Sequence, residues 1–130
     1  MSGELDLAKL LAGMHPEQRP GEYVFCTVPT IPADIDALCV FREREGWTLI
    51  LSRAEADRLQ LAYHVSWAWI EMTIHSSLEA VGFMAAMAQA LAAAGVSCNA
   101  VSAFYHDHLF VQYEKAELAL AALKASSRGL

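Results

Sequence analysis

The chain has 130 residues, enough for one compact domain or for two half-size units built around a common core. Hydrophobic residues make up 55% of it and charged residues only 18%, a composition that excludes wholesale disorder. The net charge of −6, with nine Lys and Arg scattered singly, argues against a protein that tracks nucleic-acid phosphates. Cys26, Cys39 and Cys98 are odd in number and far apart, with no CxxC spacing, so they read as reduced, buried thiols of a cytoplasmic protein. The first nine residues carry Glu4 and Asp6 and lack the basic and apolar regions of a secretory signal. Ala80 to Tyr105 contains no charged residue, but its alanines and its Gly82, Gln89, Gly95, Ser97 and Asn99 are the wrong composition for a membrane span.

Leu5, Leu7, Leu10, Leu11 and Met14 form a short helical stripe closed by Gly13 and Pro16. His15 to Gly21 is polar with two prolines and reads as a linker. Glu22 to Val28 is β-branched and aromatic, hence a strand. Pro29 and Pro32 leave no room for a helix before the next strand, Ala37 to Arg44. Glu45-Gly46 turns that strand into a return arm, Trp47 to Leu51. Ser52 with Glu55 is a capping-box pattern that opens a helix running to about Leu61.

In the second half, Trp67 to Ile74 alternates, with Ala68, Ile70, Met72 and Ile74 on one face and Trp67, Trp69, Glu71 and Thr73 on the other. A long helix follows, with Leu78, Val81, Ala85, Ala88 and Ala92 at helical spacing, and ends at Gly95, a left-handed stop. Val96 to Phe104 and His108 to Tyr113 are strands joined by a turn at Tyr105-His106-Asp107, and Lys115 to Lys124 is a last helix. The order is βαββα, a ferredoxin-like run without its last strand. The first half follows the same plan with its first helix replaced by the loop Pro29 to Asp36. The predicted fold is therefore α+β: two βαββα(β) halves, residues 1–64 (N-terminal helix plus first half) and 65–130, sharing a sheet. The sheet edge left by the missing strand predicts pairing by the first half or by a second subunit.

The string GFMAAMAQALAAAGVS, with Gly82, Leu91, Gly95 and Val96 in place, resembles the first helix and second-strand entry of ACT domains. The longer stretches from Ser76 to Val111 and PGEYVFCTVP (Pro20 to Pro29) resemble a family of short bacterial tandem-ACT proteins. The resemblance implies a regulatory module that binds a small ligand, commonly an amino acid, and passes the signal through subunit association or a partner enzyme. It implies no catalytic residue and no cofactor. It places the ligand loop between first strand and first helix, with Glu79 at an acidic position and Gly82 at a glycine position. Val81 stands where such loops often carry proline.

Two readings of that loop stand side by side. Ser76, Ser77 and Glu79 fit plain helix capping. They fit equally a site where helix amides receive a carboxylate and Glu79 meets an ammonium, with Gly82 leaving room for the ligand. Asn99, on the following strand, reads as a sheet-edge group or as a further ligand contact. The predicted site is thus Ser76, Ser77, Glu79, Gly82 and Asn99, with a homodimer, no metal, no membrane and no nucleic acid as the expected setting. The alternative is a small enzyme in which His106 and His108, helped by Cys98, His64 or His75, bind a metal or act as acid and base. A third is an interaction subunit without a ligand. In the leading reading Asp107 only fixes its hairpin turn, and Trp67 and Trp69 pack on the N-terminal helix.

Overall fold

The structure is a computed structural model and describes residues 3–128. In chain order the elements are α1 (Leu7–Gly13), β1 (Pro16–Gln18), β2 (Tyr23–Val28), β3 (Cys39–Arg42), β4 (Trp47–Ser52), α2 (Arg53–Arg58), β5 (Trp67–Met72), α3 (Phe83–Ala93), β6 (Asn99–Ser102), β7 (Asp107–Gln112), a 3-10 turn (Tyr113–Lys115) and α4 (Ala116–Arg128). They form two compact units. One is Pro20–Trp67; the other joins the residues up to Arg19 with those from Ala68 onward. Among the described residues no helix is long and apolar enough to cross a membrane.

In the Pro20–Trp67 unit, β4 pairs antiparallel with β2 on one side and β3 on the other, in register from Tyr23↔Ser52 to Val28↔Trp47 and from Cys39↔Ile50 to Arg42↔Trp47. Alternation sends Val24, Cys26 and Val28 inward with Leu49, Leu51 and Ala56. The loop after Pro29 takes the place of a helix, and Ile35 and Ala37 pack on this core. One oxygen of the Glu55 carboxylate pins the loop by accepting the Asp36 N–H at 2.9 Å. Both Glu55 oxygens also accept from the Arg58 guanidinium, at 2.7 and 2.8 Å, and together these bonds lower its pKa to about 2. Ser52 caps α2 as expected, accepting the Glu55 N–H at 3.1 Å. The return half of the capping box is not made, because Glu55 is turned to Arg58 and Asp36.

In the other unit the strand order is β5-β7-β6, with β1 antiparallel to β5 on its free side, from Pro16↔Met72 to Gln18↔Ile70. β1 thus stands where the βαββα run lacks its last strand, which corrects the reading of His15 to Gly21 as a linker. Three residues with a proline give no readable alternation, and only their partner makes them a strand. The expectation that no strand follows α4 involves Gly129 and Leu130, which lie outside the described residues.

Ala68, Ile70 and Met72 of β5 and Leu109 and Val111 of β7 face a layer of helices and are buried with Phe83, Met87, Leu91, Ala119 and Leu123. Leu10, Leu11 and Met14 of α1 join this same cluster. One expectation is corrected here. The N-terminal helix packs with the residues from Ala68 onward and covers the Ala68–Ile70–Met72 face, not the tryptophans. Trp69 instead meets His108, and Trp67 packs edge-on against Phe25 at 5.8 Å.

Candidate functional site

The segment between β5 and α3 is shaped by backbone pairing. Glu4 forms an isolated parallel bridge with Ser76: its N–H reaches the His75 carbonyl and its carbonyl accepts the Ser77 N–H, both at 2.9 Å. Gly3 approaches so closely that a Cβ there would lie 2.5 Å from the Ser77 nitrogen. Ser77 then builds a turn, its Oγ accepting the Glu79 N–H at 3.1 Å and its carbonyl accepting the Ala80 N–H at 3.0 Å. The helix starts only at Phe83, so Leu78 and Val81, expected at helical spacing on it, lie in the segment before it. Its N-cap is Gly82, left-handed at φ 92°, with no side-chain cap bond. The seryl residues cap nothing on α3, because residues 76–81 are committed to the bridge and the turn.

Ser76, Ser77, Leu78, Ala80, Phe83, Met84, Ser102 and Asp107 line a cavity of about 60 Å³ that opens to solvent. Asp107 and Ser102 are cross-strand partners at the start of the β6–β7 hairpin, which places both side chains on one face. Asp107 is only 7% exposed, and the Ser76 hydroxyl donates to its Oδ2 at 3.0 Å. On the other wall, Phe83 and Met84 bring the first turn of α3. Helix geometry leaves the leading amides of that turn without intrahelical acceptors, and Gly82 supplies no side chain to cap them. The cavity can thus receive an anion at the helix end and a hydrogen-bond donor or cation at the carboxylate end.

Of the predicted residues, Ser76 and Ser77 line this cavity and Gly82 adjoins it. Glu79 is exposed and outside the lining, with its amide turned to Ser77. Asn99 is exposed at the far end of β6, paired with Phe110, and its register puts it on the face opposite Ser102. Sequence reasoning missed Asp107 and Ser102. The turn actually spans Ala103 to His106, closed by the Ala103 N–H to the His106 carbonyl at 3.0 Å, so Asp107 is the first residue of β7. Only the hairpin register, which moves every side chain when it slips by one, could have revealed the pair.

His106 and His108 lie together, ring centroids 6.4 Å apart, but Asp107 turns away from them. Adjacent strand residues face opposite ways, so Asp107 enters the cavity while His108 joins the other face. There His108 Nδ1 accepts the Trp69 indole N–H at 2.9 Å, and the Arg19 guanidinium lies 5.3 Å from the Trp69 ring centroid. Burial pushes the His108 pKa down, a shift partly opposed by Glu71. His75 stacks on Tyr105 at 5.2 Å, and burial raises the Cys98 thiol pKa. Among the described residues no three His, Cys, Asp or Glu side chains are grouped to hold a metal ion.

A family model described as ACT domain matches residues 2–67, and a second with the same description matches residues 65–125. The chain is 44% identical to a protein of unknown function from Vibrio cholerae, described as a possible transport protein. That likeness covers 93% of this chain and 95% of the other, with a TM-score of 0.84. A protein from Agrobacterium tumefaciens shares 17% identity over 88% and 89% of the two chains, with a TM-score of 0.76. The regulatory subunit of aspartate kinase from Thermus thermophilus shares 12% identity over 88% and 98%, with a TM-score of 0.63; the last two are likenesses of fold. Among curated proteins none matches the chain. Two βαββ-type units, one with a loop for its first helix, together with two family matches in tandem, lead to one conclusion: the chain belongs to the ACT domain family and carries two such domains in sequence.

Proposed function

We propose that this chain is an amino-acid-binding regulatory protein without catalytic activity of its own, acting as a cytoplasmic homodimer. Membership of the ACT family supports a ligand-binding regulatory role in general. The observation that carries the finer reading is the cavity between the Ser76–Gly82 segment and the uncapped start of α3. Helix amides with a partial positive charge suit a carboxylate, while hydroxyls and a carboxylate on the facing wall suit an ammonium. Ser76, Ser77 and Gly82 stay in the proposed site; Glu79 and Asn99, exposed and outside the cavity lining, do not. The sequence repeat divides at residues 64/65 in this reading, close to the overlap of the two family matches at residues 65–67.

A ligand that binds only the folded chain stabilises it by RT ln(1 + [L]/Kd), about 2.7 kcal/mol at a hundredfold excess over Kd. If the ligand also favours subunit association, that linkage is a regulatory output without chemistry. Thermal melts in the presence of each of the twenty amino acids test the reading. A rise in Tm confined to a small subset, with a dimer by light scattering, is the expected result. No rise with any of them, or a monomer at all concentrations, removes the corresponding part of the proposal.

A further inference from the structure

We infer that the carboxylate of Asp107 is the group that recognises a ligand's ammonium, and that the part of a primary-amine zwitterion held in the cavity is about the size of glycine or alanine. The inference rests on the ligand-site reading above and deepens it. Asp107 is 7% exposed yet accepts a single side-chain hydrogen bond among the described residues, from Ser76 to Oδ2. An ionised carboxylate can accept about four. Among the described residues no carboxylate oxygen is buried without a hydrogen-bond partner, so the second Asp107 oxygen opens onto the cavity, where it can accept from a donor-rich or cationic guest. No Lys, Arg or His lines the cavity, so nothing in the wall neutralises that charge.

The two ends of the site are also sorted by sign. Phe83 and Met84 bring the positive end of an eleven-residue helix, whose N-cap has no side chain. Asp107 and Ser76 form the negative end. Exposed Glu79 then has no place in ammonium recognition. Size supplies the remaining restriction. At roughly 10–15 Å³ of such volume per water-sized group, the cavity of about 60 Å³ holds about four to six groups. That is close to the heavy-atom count of glycine or alanine.

Calorimetric titrations of wild type, Asp107→Asn and Glu79→Gln with glycine, alanine, serine, N-acetylglycine and methylamine test this directly. The expected result is binding of at least one of the three amino acids, loss on N-acetylation, and no effect of Glu79→Gln. Asp107→Asn should weaken binding roughly 30-fold or more, the cost of losing one partner of a buried charge pair. An amino acid bound equally well by wild type and a folded Asp107→Asn variant overturns the role of Asp107 and leaves the ligand-site reading standing. If the amino acids fail but methylamine binds in an Asp107-dependent way, the amino-acid reading falls and the ammonium role stands. If none of the probes binds wild type, both fall. Should Asp107→Asn not fold, the ¹³C shift of the Asp107 carboxyl carbon in wild type decides: movement on titration supports the contact, and its absence during binding refutes it.

Discussion

His108 accepts the Trp69 indole N–H through Nδ1, which requires that nitrogen to be unprotonated. Burial lowers its pKa from the ordinary value, with Glu71 and Asp107 opposing and His106 and Arg19 reinforcing the shift. Above about pH 6.5 the imidazole is neutral in folded and unfolded chains alike, and its contribution to stability is complete. As pH falls below that value the unfolded chain takes up the proton first, so stability declines until folded His108 is protonated as well. Urea melts followed by tryptophan emission should show this acid loss, and His108→Leu should remove that part of it. Gly82 provides a second residue-scale test. At φ 92° an alanine is strained by about 1–2 kcal/mol, and its Cβ would come within 3.2 Å of Leu7 Cδ2. Gly82→Ala should therefore lower the urea midpoint while leaving the m-value unchanged.

At the scale of elements, α1 is short for a helix, yet Leu10 is wholly buried and Leu11 nearly so. Asp6 caps it by accepting the Lys9 N–H at 3.1 Å, but seven residues are too few for a helix to stand by propensity alone. Packing against α3 and α4 holds it in place. Leu10→Ala should cost about 2–5 kcal/mol, a core-sized loss, measurable by chemical denaturation. A loss below about 0.5 kcal/mol would mean that α1 is a dispensable appendage. β1 depends on context in the same way, tied to β5 by the Arg19 N–H to the Trp69 carbonyl at 2.8 Å and the Thr73 N–H to the His15 carbonyl at 3.2 Å.

For the whole molecule, the Pro20–Trp67 unit has a core of six buried residues: Val24, Cys26, Val28, Leu49, Leu51 and Ala56. Cores this small rarely supply enough burial to offset the conformational entropy of the chain without a disulfide or metal. Its cysteines are free. A peptide of residues 20–67 should therefore be unfolded by circular dichroism and by its narrow amide proton dispersion. The full chain should melt in one cooperative step. A folded peptide would show that the Pro20–Trp67 unit is an independent module.

The sequence by itself determined the elements that carry a period or a stop signal. Alternation in Tyr23–Val28 and Trp67–Met72, the Glu45-Gly46 turn, the Ser52 cap and the Gly95 helix stop are local properties of the chain, readable without a partner. The string from Gly82 to Val96 also led to the ACT family. Tertiary structure alone decided where unpatterned segments go. β1 is a strand because β5 offers it hydrogen bonds, and α1 packs with the residues from Ala68 onward because they present an apolar helix layer. The N-cap of α3 is Gly82 and not Ser76 because Glu4, distant in sequence, claims the backbone of residues 75–77. The candidate site divides along the same line. Ser76, Ser77 and Gly82 were legible as a loop before a helix. Asp107 entered only through the β6–β7 register, since a strand's periodicity says that neighbours face opposite ways but not which way either one faces.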